Sequence, residues 1–517
     1  MKHIKKLASL LLVLVMALSL AVTAFADEST TYSITINNST AGHTYEAYQI
    51  FTGDLATNEA GNKVLSNIVW GSGVSEAGQT ALGDAAAKAE TLKTEADAKA
   101  FAKAVAPYLT TAAGSADTVT DGKYVISGLA AGYYLVKDQD DSLTGDNDSY
   151  TEYIIQVVGN VTATPKSDVP EVQKKVKDIN DSTDTTKTDW QDSADYDIGD
   201  SIPFQLKTTL ADNVSAYTTY KVVFHDTLSK GLTYNNDAKV YIDGTETNGF
   251  TVTATVNADG TTTLTVSCDD VKALGAGNSS VITVEYTAKL NENAVLGSAG
   301  NPNEVYLKYS NNPNKSEEGN NETGETPKDV VIVFTYKTII NKVDSENTPL
   351  TGAAFKLEKL IKGKDGAADT WTTVKEFTVD ETTTSFTFSG LDDGQYKLTE
   401  TKTPAGYNTI DPIYFVIEAT HDETADAPTL KTLNAYLTDA NGNKQTEMKD
   451  GESVNIDLGT VDLTAGSITT TVVNKSGSEL PSTGGIGTTI FYVLGGVLVL
   501  AAVVLLVTKK RMSGAEK

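Results

Sequence analysis

Hydrophobic and polar residues alternate in short runs along most of the chain, as in Tyr32 to Ile36, Tyr220 to Phe224 and Thr251 to Val256. A period of two places alternate side chains on opposite faces, so each run predicts a strand, and the Asn/Asp-Gly turns between them predict many short strands in β-sandwich modules. The period changes once: from about Glu76 to Tyr108 the chain is rich in Ala, Lys and Glu, which predicts one or two helices inserted in the first module. Two continuous apolar stretches, Leu7 to Val22 and about Ile486 to Val507, fit neither period.

Breaks in the pattern fall near Thr164 to Pro170 and in the polar run Asn311 to Pro327. They divide the chain into residues 27–166, 167–328 and 329–476, with a stalk and C-terminal signal over 477–517. A length of 517 residues is consistent with several cores. The basic Lys2, Lys5 and Lys6, the apolar run and Ala24-Phe25-Ala26 predict a secretory signal peptide over residues 1–26. The second apolar stretch is long enough to span a bilayer, and Lys509, Lys510 and Arg511 should keep its end in the cytoplasm.

The formal net charge of −27 argues against a nucleic-acid partner. Cys268 is the only cysteine, so an internal disulfide is excluded, and its place in a strand-like run marks it as a buried structural thiol. Another cross-link must staple an exported chain of this kind. No cofactor and no metal is expected: Asp138-Gln-Asp140-Asp-Ser142 hints at a calcium loop, but Leu143 stands where such a loop needs glycine. His225 beside Asp226 comes with no nucleophile motif, so a hydrolase is not indicated.

Before the second apolar stretch the chain reads Leu480-Pro481-Ser482-Thr483-Gly484. Pro481 favours an extended Leu480, and Gly484 clears the approach to the Thr483 carbonyl. Followed by a span and a basic tail, this resembles the LPxTG signal of sortase substrates, which implies Thr483 as the acyl donor.

In the third module Phe334, Tyr336, Ile340 and Lys342 share one strand face, Tyr396, Leu398 and Glu400 another, and Ile468, Val472 and Asn474 a third. A buried lysine is driven neutral and nucleophilic, and a protonated glutamic acid can polarise an asparagine amide; ammonia then leaves and an amide forms. The Leu-x-Gly-Ala-x-Phe and Glu-Thr-x-x-Pro-x-Gly-Tyr runs resemble the CnaB-type domain that forms such isopeptide bonds. The resemblance implies Lys342 as nucleophile, Asn474 as acceptor and Glu400 as catalyst.

In the second module Val172, Lys174 and Val176 share a face, so Lys174 rather than Lys175 should point inward. With Val222 to Asp226 and the run Gly300 to Pro313, the module resembles a fimbrial-type isopeptide-forming domain. That implies Lys174 joined to Asn303 with Asp226 assisting, with Asn301, Asn311 and Asn312 as competing acceptors.

Thr44 to Phe51 and Gly128 to Asp138 resemble the N-terminal domain of pilus backbone subunits. Its first strand, Thr31 to Asn38, carries no lysine, so no third cross-link is expected. Val161-Thr-Ala-Thr164-Pro165-Lys166 resembles the Val-x-x-Tyr-Pro-Lys type motif that supplies the linking lysine, with Thr164 in place of tyrosine.

The chain is thus expected to be three tandem Ig-like (Cna-type) β-sandwich modules, not an enzyme but a sortase substrate joined Thr483 to Lys166 into a cell-wall-anchored pilus. Its expected partners are other copies of itself, pilus-specific and housekeeping sortases and peptidoglycan, with minor pilins and host ligands beyond them. The competing reading is a monomeric wall-anchored adhesin or minor pilin. Gel analysis of wall extracts separates the two.

Overall fold

The computed structural model describes residues 30–58, 61–143, 148–165, 168–183, 189–317, 319–364, 366–445, 456–477 and 498. The expected signal peptide, Lys166, the LPSTG motif and, apart from residue 498, the second apolar stretch lie outside the described residues. Among the described residues no helix is long and apolar enough to cross a membrane.

The architecture is mainly β. At the N-terminal end a three-stranded sheet is ordered Lys123–Leu129, Tyr32–Asn37, Val161–Ala163. Its apolar face packs on one face of a five-stranded sheet through Ile34, Ile36, Tyr45, Tyr134 and Val136. The opposite face of that larger sheet takes Tyr48, Ile50, Tyr133 and Leu135 against the helices. Covered on both sides, its strand Gly132–Asp138 is buried at every position, which is why it reads as a continuous rather than an alternating apolar run.

The Ala-rich stretch folds as three α-helices, Glu76–Leu82, Ala85–Thr91 and Glu95–Val105, and a 3-10 turn at Ala106–Tyr108. This is more than the one or two helices expected. Gly83 ends the first helix with φ at 88°, and Asp84 caps the second by accepting from the Ala87 amide. Thr94 and Asp97 then form a capping box that starts the third. Caps of two or three residues are too short to interrupt a compositional pattern.

The middle region is two seven-stranded sheets face to face. One carries Glu171–Lys177, Ser201–Thr209 and Val281–Leu290 side by side; the other carries Thr262–Cys268, Val222–Leu228, Asn301–Ser310 and Asp329–Phe334. Phe204, Leu206, Val284, Phe224, Leu264, Val305 and Leu307 fill the core between them. Cys268 is buried there as a free thiol.

Residues 329–334, read from sequence as the start of the third module, instead lie in this second sheet between Asn301–Val305 and Ser193–Asp195, with Phe334 reaching the core of the third region. The polar run from Asn311 also belongs here: Thr323–Glu325 pairs with Lys308–Ser310, and Asn312 donates to Glu322. Backbone pairing and polar side-chain bonds hold this run in place of an apolar pattern, so it looks like a spacer in sequence.

The third region has a four-stranded and a five-stranded sheet around Phe334, Tyr336, Ile340, Phe388, Tyr396, Leu398 and Val472. Its first strand, Tyr336–Val343, lies parallel to its last, Ser467–Val473, with Lys342 opposite Val472.

Candidate cross-linking sites

In the middle region the alternation along Glu171–Lys177 sends Lys174 and Val176 inward and leaves Lys175 part-exposed. Lys174 is fully buried between the two sheets. From the opposite sheet Asp226 meets it, with Lys174 Nζ donating to Asp226 Oδ1 at 2.5 Å. Asp226 is as buried as the lysine.

Burial pushes the Lys174 ammonium down and the Asp226 carboxyl up, while the ion pair opposes both shifts. The two shifts favour moving one proton from lysine to aspartate, leaving a neutral amine beside a carboxylic acid. That is the state in which the amine is nucleophilic.

Asn303 completes the set. It faces inward next to Asp226 on the neighbouring strand, in a pair register of Leu228 with Asn303 and Asp226 with Val305. Its Nδ2 donates to the Tyr286 hydroxyl at 2.7 Å, and its Oδ1 is buried with no hydrogen-bond partner among the described residues. Tyr286 also accepts from Lys174 Nζ at 3.1 Å and donates to Asp226 Oδ2.

The other candidate asparagines point elsewhere. Asn301 is used up by backbone groups, accepting from the Val295 amide and donating to the Val295 and Val333 carbonyls. Asn311 accepts the Tyr150 amide on its backbone carbonyl, and Asn312 pairs with Glu322.

Sequence reasoning missed Tyr286, the hydroxyl that touches all three members of the set. The available signal is the inward row Ile282, Val284, Tyr286, Ala288 on one strand, where a phenol among apolar neighbours needs a partner.

In the third region the same chemistry is arranged differently. Lys342 lies on Tyr336–Val343, Asn474 directly follows the adjacent parallel strand Ser467–Val473 of the same sheet, and Glu400 comes from the other sheet, on Gly394–Lys402. All three are buried. Asn474 Nδ2 donates to Glu400 Oε2 at 3.1 Å and to the Asn408 carbonyl at 2.8 Å. The same Glu400 oxygen accepts from Thr403 Oγ1 and the Ile410 amide.

Glu400 Oε1 and Asn474 Oδ1 are buried without a partner among the described residues. Lys342 Nζ donates to the Val472 and Val343 carbonyls at 3.0 and 3.2 Å. Burial lowers its pKa to about 8, against the pull of Glu400 and Asp344. A cleft lined by Asn341, Lys342, Asn347, Pro349 and Thr384 reaches the surface beside it.

The first region holds no counterpart on its first strand, Tyr32–Asn37, which pairs in parallel with Val161–Ala163. It buries His43, which lies 2.7 Å from Asp138 and 3.2 Å from Asp148. Burial opposes its charge, but the two carboxylates raise its pKa to about 9. Asp138, read at first as part of a calcium-like loop, is spent on this histidine and on Thr151.

His225 stacks on Tyr306 at 4.9 Å, and no charge relay with Asp226 forms, because neighbours on a strand face opposite ways. Ser193, His421 and Asp178 do line up, with 2.7 Å from Ser193 Oγ to His421 Nδ1 and 3.5 Å from Nε2 to Asp178. This is not a hydrolytic triad. Against the cost of burial, Asp178 and Asp195 raise His421 to about 10, so the ring cannot act as a base, and Ser193 is fully buried.

Three family models match parts of the chain. A Gram-positive pilin backbone subunit 2, Cna-B-like domain covers residues 198–313, a SpaA prealbumin-like fold domain covers 337–431, and an LPXTG cell wall anchor motif covers 472–513. The chain is built as a Gram-positive LPxTG backbone pilin.

The Cna-B-like description falls on the middle region of this pilin, and the third, which resembles a CnaB domain in sequence, matches the prealbumin-like model. The trypsin-resistant surface T6 protein of Streptococcus pyogenes serotype M6 is 25% identical over 459 residues, covering 76% of this chain and 77% of that protein. The solved T6 backbone pilin superposes with a TM-score of 0.54 at 19% identity, over 88% of this chain and all of that one. The major pilin SpaD of Corynebacterium diphtheriae covers 88% of this chain and all of its own, with 17% identity and a TM-score of 0.47. The pilin is a cell-wall-anchored surface protein.

Proposed function

We propose that this pilin is the major shaft subunit of a sortase-assembled pilus, polymerised by amide bonds from Thr483 of one copy to Lys166 of the next and stiffened by Lys174–Asn303 and Lys342–Asn474 bonds within each copy. The observation that carries the stiffening is that the middle and third regions each bury a lysine from their first strand in one apolar site with a carboxyl group and an asparagine. An unreacted set of this kind would be costly, since a buried charge or unpaired amide forfeits its hydration.

In each reaction the neutral lysine Nζ attacks the asparagine Cγ. The carboxylic acid, Asp226 or Glu400, donates a hydrogen bond to the amide oxygen and relays the amine proton to the leaving nitrogen. One C–N bond forms, one breaks, and one ammonia departs. Catalysis is confined to the chain itself, so the protein is a substrate of sortase rather than a turnover enzyme.

At the termini, sortase cleaves between Thr483 and Gly484 and transfers the Thr483 acyl group to an amine. When Lys166 of another copy supplies it the polymer grows, and when peptidoglycan supplies it the shaft is fixed to the wall.

Wall extracts boiled in SDS should show a ladder of high-mass polymers, and Lys166→Ala should collapse it to the monomer. A single band from the unmodified chain would remove the shaft reading. A ladder that survives Lys166→Ala would remove only the acceptor assignment.

A further inference from the structure

The carboxyl group of Glu400 is held unevenly. Three groups donate to Oε2: the Asn474 side-chain amide at 3.1 Å, the Ile410 backbone amide at 3.3 Å and the Thr403 hydroxyl at 3.1 Å. Oε1 is buried with no hydrogen-bond partner among the described residues, and Asn474 Oδ1 is left in the same condition. Glu400 itself is 5% exposed, so solvent has little access with which to even out the two oxygens.

Two of the three donors have no choice of role. An amide N–H can only donate, so the Ile410 and Asn474 nitrogens require a bare oxygen opposite them. A carboxylic acid carries its proton on one oxygen only. With Oε2 occupied as an acceptor, the proton belongs on Oε1, and Asn474 Oδ1 is the other open atom of the site. Acid and amide then form a reciprocal pair, Nδ2–H to Oε2 and Oε1–H to Oδ1, which polarises the amide carbon that Lys342 attacks.

The Thr403 hydroxyl does have a choice, and a second threonine settles it. Thr403 Oγ1 lies 2.7 Å from Thr409 Oγ1. Thr403 is half-buried and Thr409 exposed. With Thr409 donating inward, Thr403 donates onward to Glu400. Both threonines sit on the segment that leaves strand Gly394–Lys402 and turns through Pro404 to Ile410. The last torsion of a glutamate side chain is soft and nearly two-fold, so an untethered carboxyl would exchange its two oxygens. In the middle region a hydroxyl also holds the acid, but Tyr286 reaches it from the opposite sheet and touches the lysine and asparagine as well. The side-chain hydrogen bonds of Thr403 reach only Glu400 and Thr409.

We propose that Thr403, steadied by Thr409, is a positioning residue for the third-region cross-link: it fixes Oε2 of Glu400 as the acceptor and so aims the acid proton on Oε1 at the Asn474 carbonyl oxygen. This role rests on the Lys342–Asn474 bond proposed above and leaves its balance unchanged. The Nζ–Cγ bond forms, the Cγ–Nδ2 bond breaks and ammonia departs.

The test follows bond formation in the mature chain made by cell-free synthesis, sampled over time and read from the mass of the peptide pair joining Lys342 to Asn474. Thr403→Val keeps the side-chain shape, removes the hydroxyl and should slow bond formation by about tenfold or more, as misplacing a catalytic group does. Thr403→Ser restores the hydroxyl and should recover the wild-type rate. Thr409→Val, at the exposed end, should slow the bond less, and it supplies the reading if Thr403→Val does not fold. In a Lys342→Ala background, where no bond can form, Thr403→Val should leave the melting temperature unchanged. A wild-type rate in Thr403→Val would overturn the assignment, as would slowing that Thr403→Ser fails to rescue, or a lowered melting temperature in the Lys342→Ala background. Absence of the joined peptides from the wild-type chain would overturn the Lys342–Asn474 bond itself, and this role with it.

Discussion

At the scale of the residue, the two lysine sets show what burial does to ordinary groups. Lys174 and Lys342 would be inert ammonium ions in water, and Asp226 an inert carboxylate; moved out of water, each drifts toward its neutral form. Tyr286→Phe tests the relay in the middle region. It should keep the ring stacked on Phe204 at 5.4 Å but remove the hydroxyl that touches Lys174, Asp226 and Asn303. Intact mass of the freshly folded variant should then show a mixture, part lacking one ammonia and part retaining it. Asn301→Ala should destabilise the fold by about 1–3 kcal/mol, the cost of orphaned buried backbone groups, and leave the mass loss intact. A further residue effect is the pH response of His43. Its folded pKa of about 9 stands above the ordinary 6.5, so its contribution, about 3 kcal/mol by the shift, is complete below 6.5 and is lost as pH rises through 9. Denaturant melts from pH 6 to 10 should show that decline, and His43→Gln should flatten it.

At the scale of the element, strand placement decides which residues can react. The middle region brings its lysine from one sheet and its aspartate and asparagine from the other, so a bond there ties sheet to sheet. The third region has its lysine on one strand and its asparagine directly after the parallel neighbour in the same sheet, so its bond ties first strand to last. Lys342→Ala should therefore let the last strand fray, and limited proteolysis near residue 474 should accelerate while the middle region stays resistant. Closing a loop of roughly 130 residues stabilises by about 4–5 kcal/mol if disulfide arithmetic transfers, so the variant's third region should melt first.

At the scale of the whole molecule, the two proposed bonds would change how a pull travels. With them in place, force entering one end would cross the middle and third regions through their cross-links, and the residues between each lysine and its asparagine would carry none. Single-molecule stretching of the wild-type chain should show neither loop released, whereas Lys342→Ala should release about 450 Å, from roughly 130 residues at about 3.3–3.6 Å each. The joint between the regions is held by backbone bonds as well, Asp192 N to the Glu423 carbonyl and Ile198 N to the Gly390 carbonyl. A shaft subunit needs such a joint, since a cross-linked module on a slack hinge would bend before it bore load.

The sequence by itself determined the β architecture and the inward lysines. Alternation is a local property, and Lys174 rather than Lys175 follows from a period of two read beside Val172 and Val176. Glu400 and Asn474 were legible in the same way, once a strand and its face were set, whereas Asp226 came only from the resemblance to a fimbrial-type domain. Only the tertiary structure separated Asn303 from Asn301, because both face inward on one strand and differ in what meets them: the Tyr286 hydroxyl from the opposite sheet for one, the backbone of Val295 and Val333 for the other. It alone moved residues 329–334 into the middle region, since pairing with Asn301–Val305 is a long-range hydrogen-bond match that no local pattern encodes. The crowding of acids at the joint was invisible for the same reason. Asp195 and Asp392 lie far apart in sequence, and their carboxylate oxygens come within 4.8 Å of each other only when two regions dock.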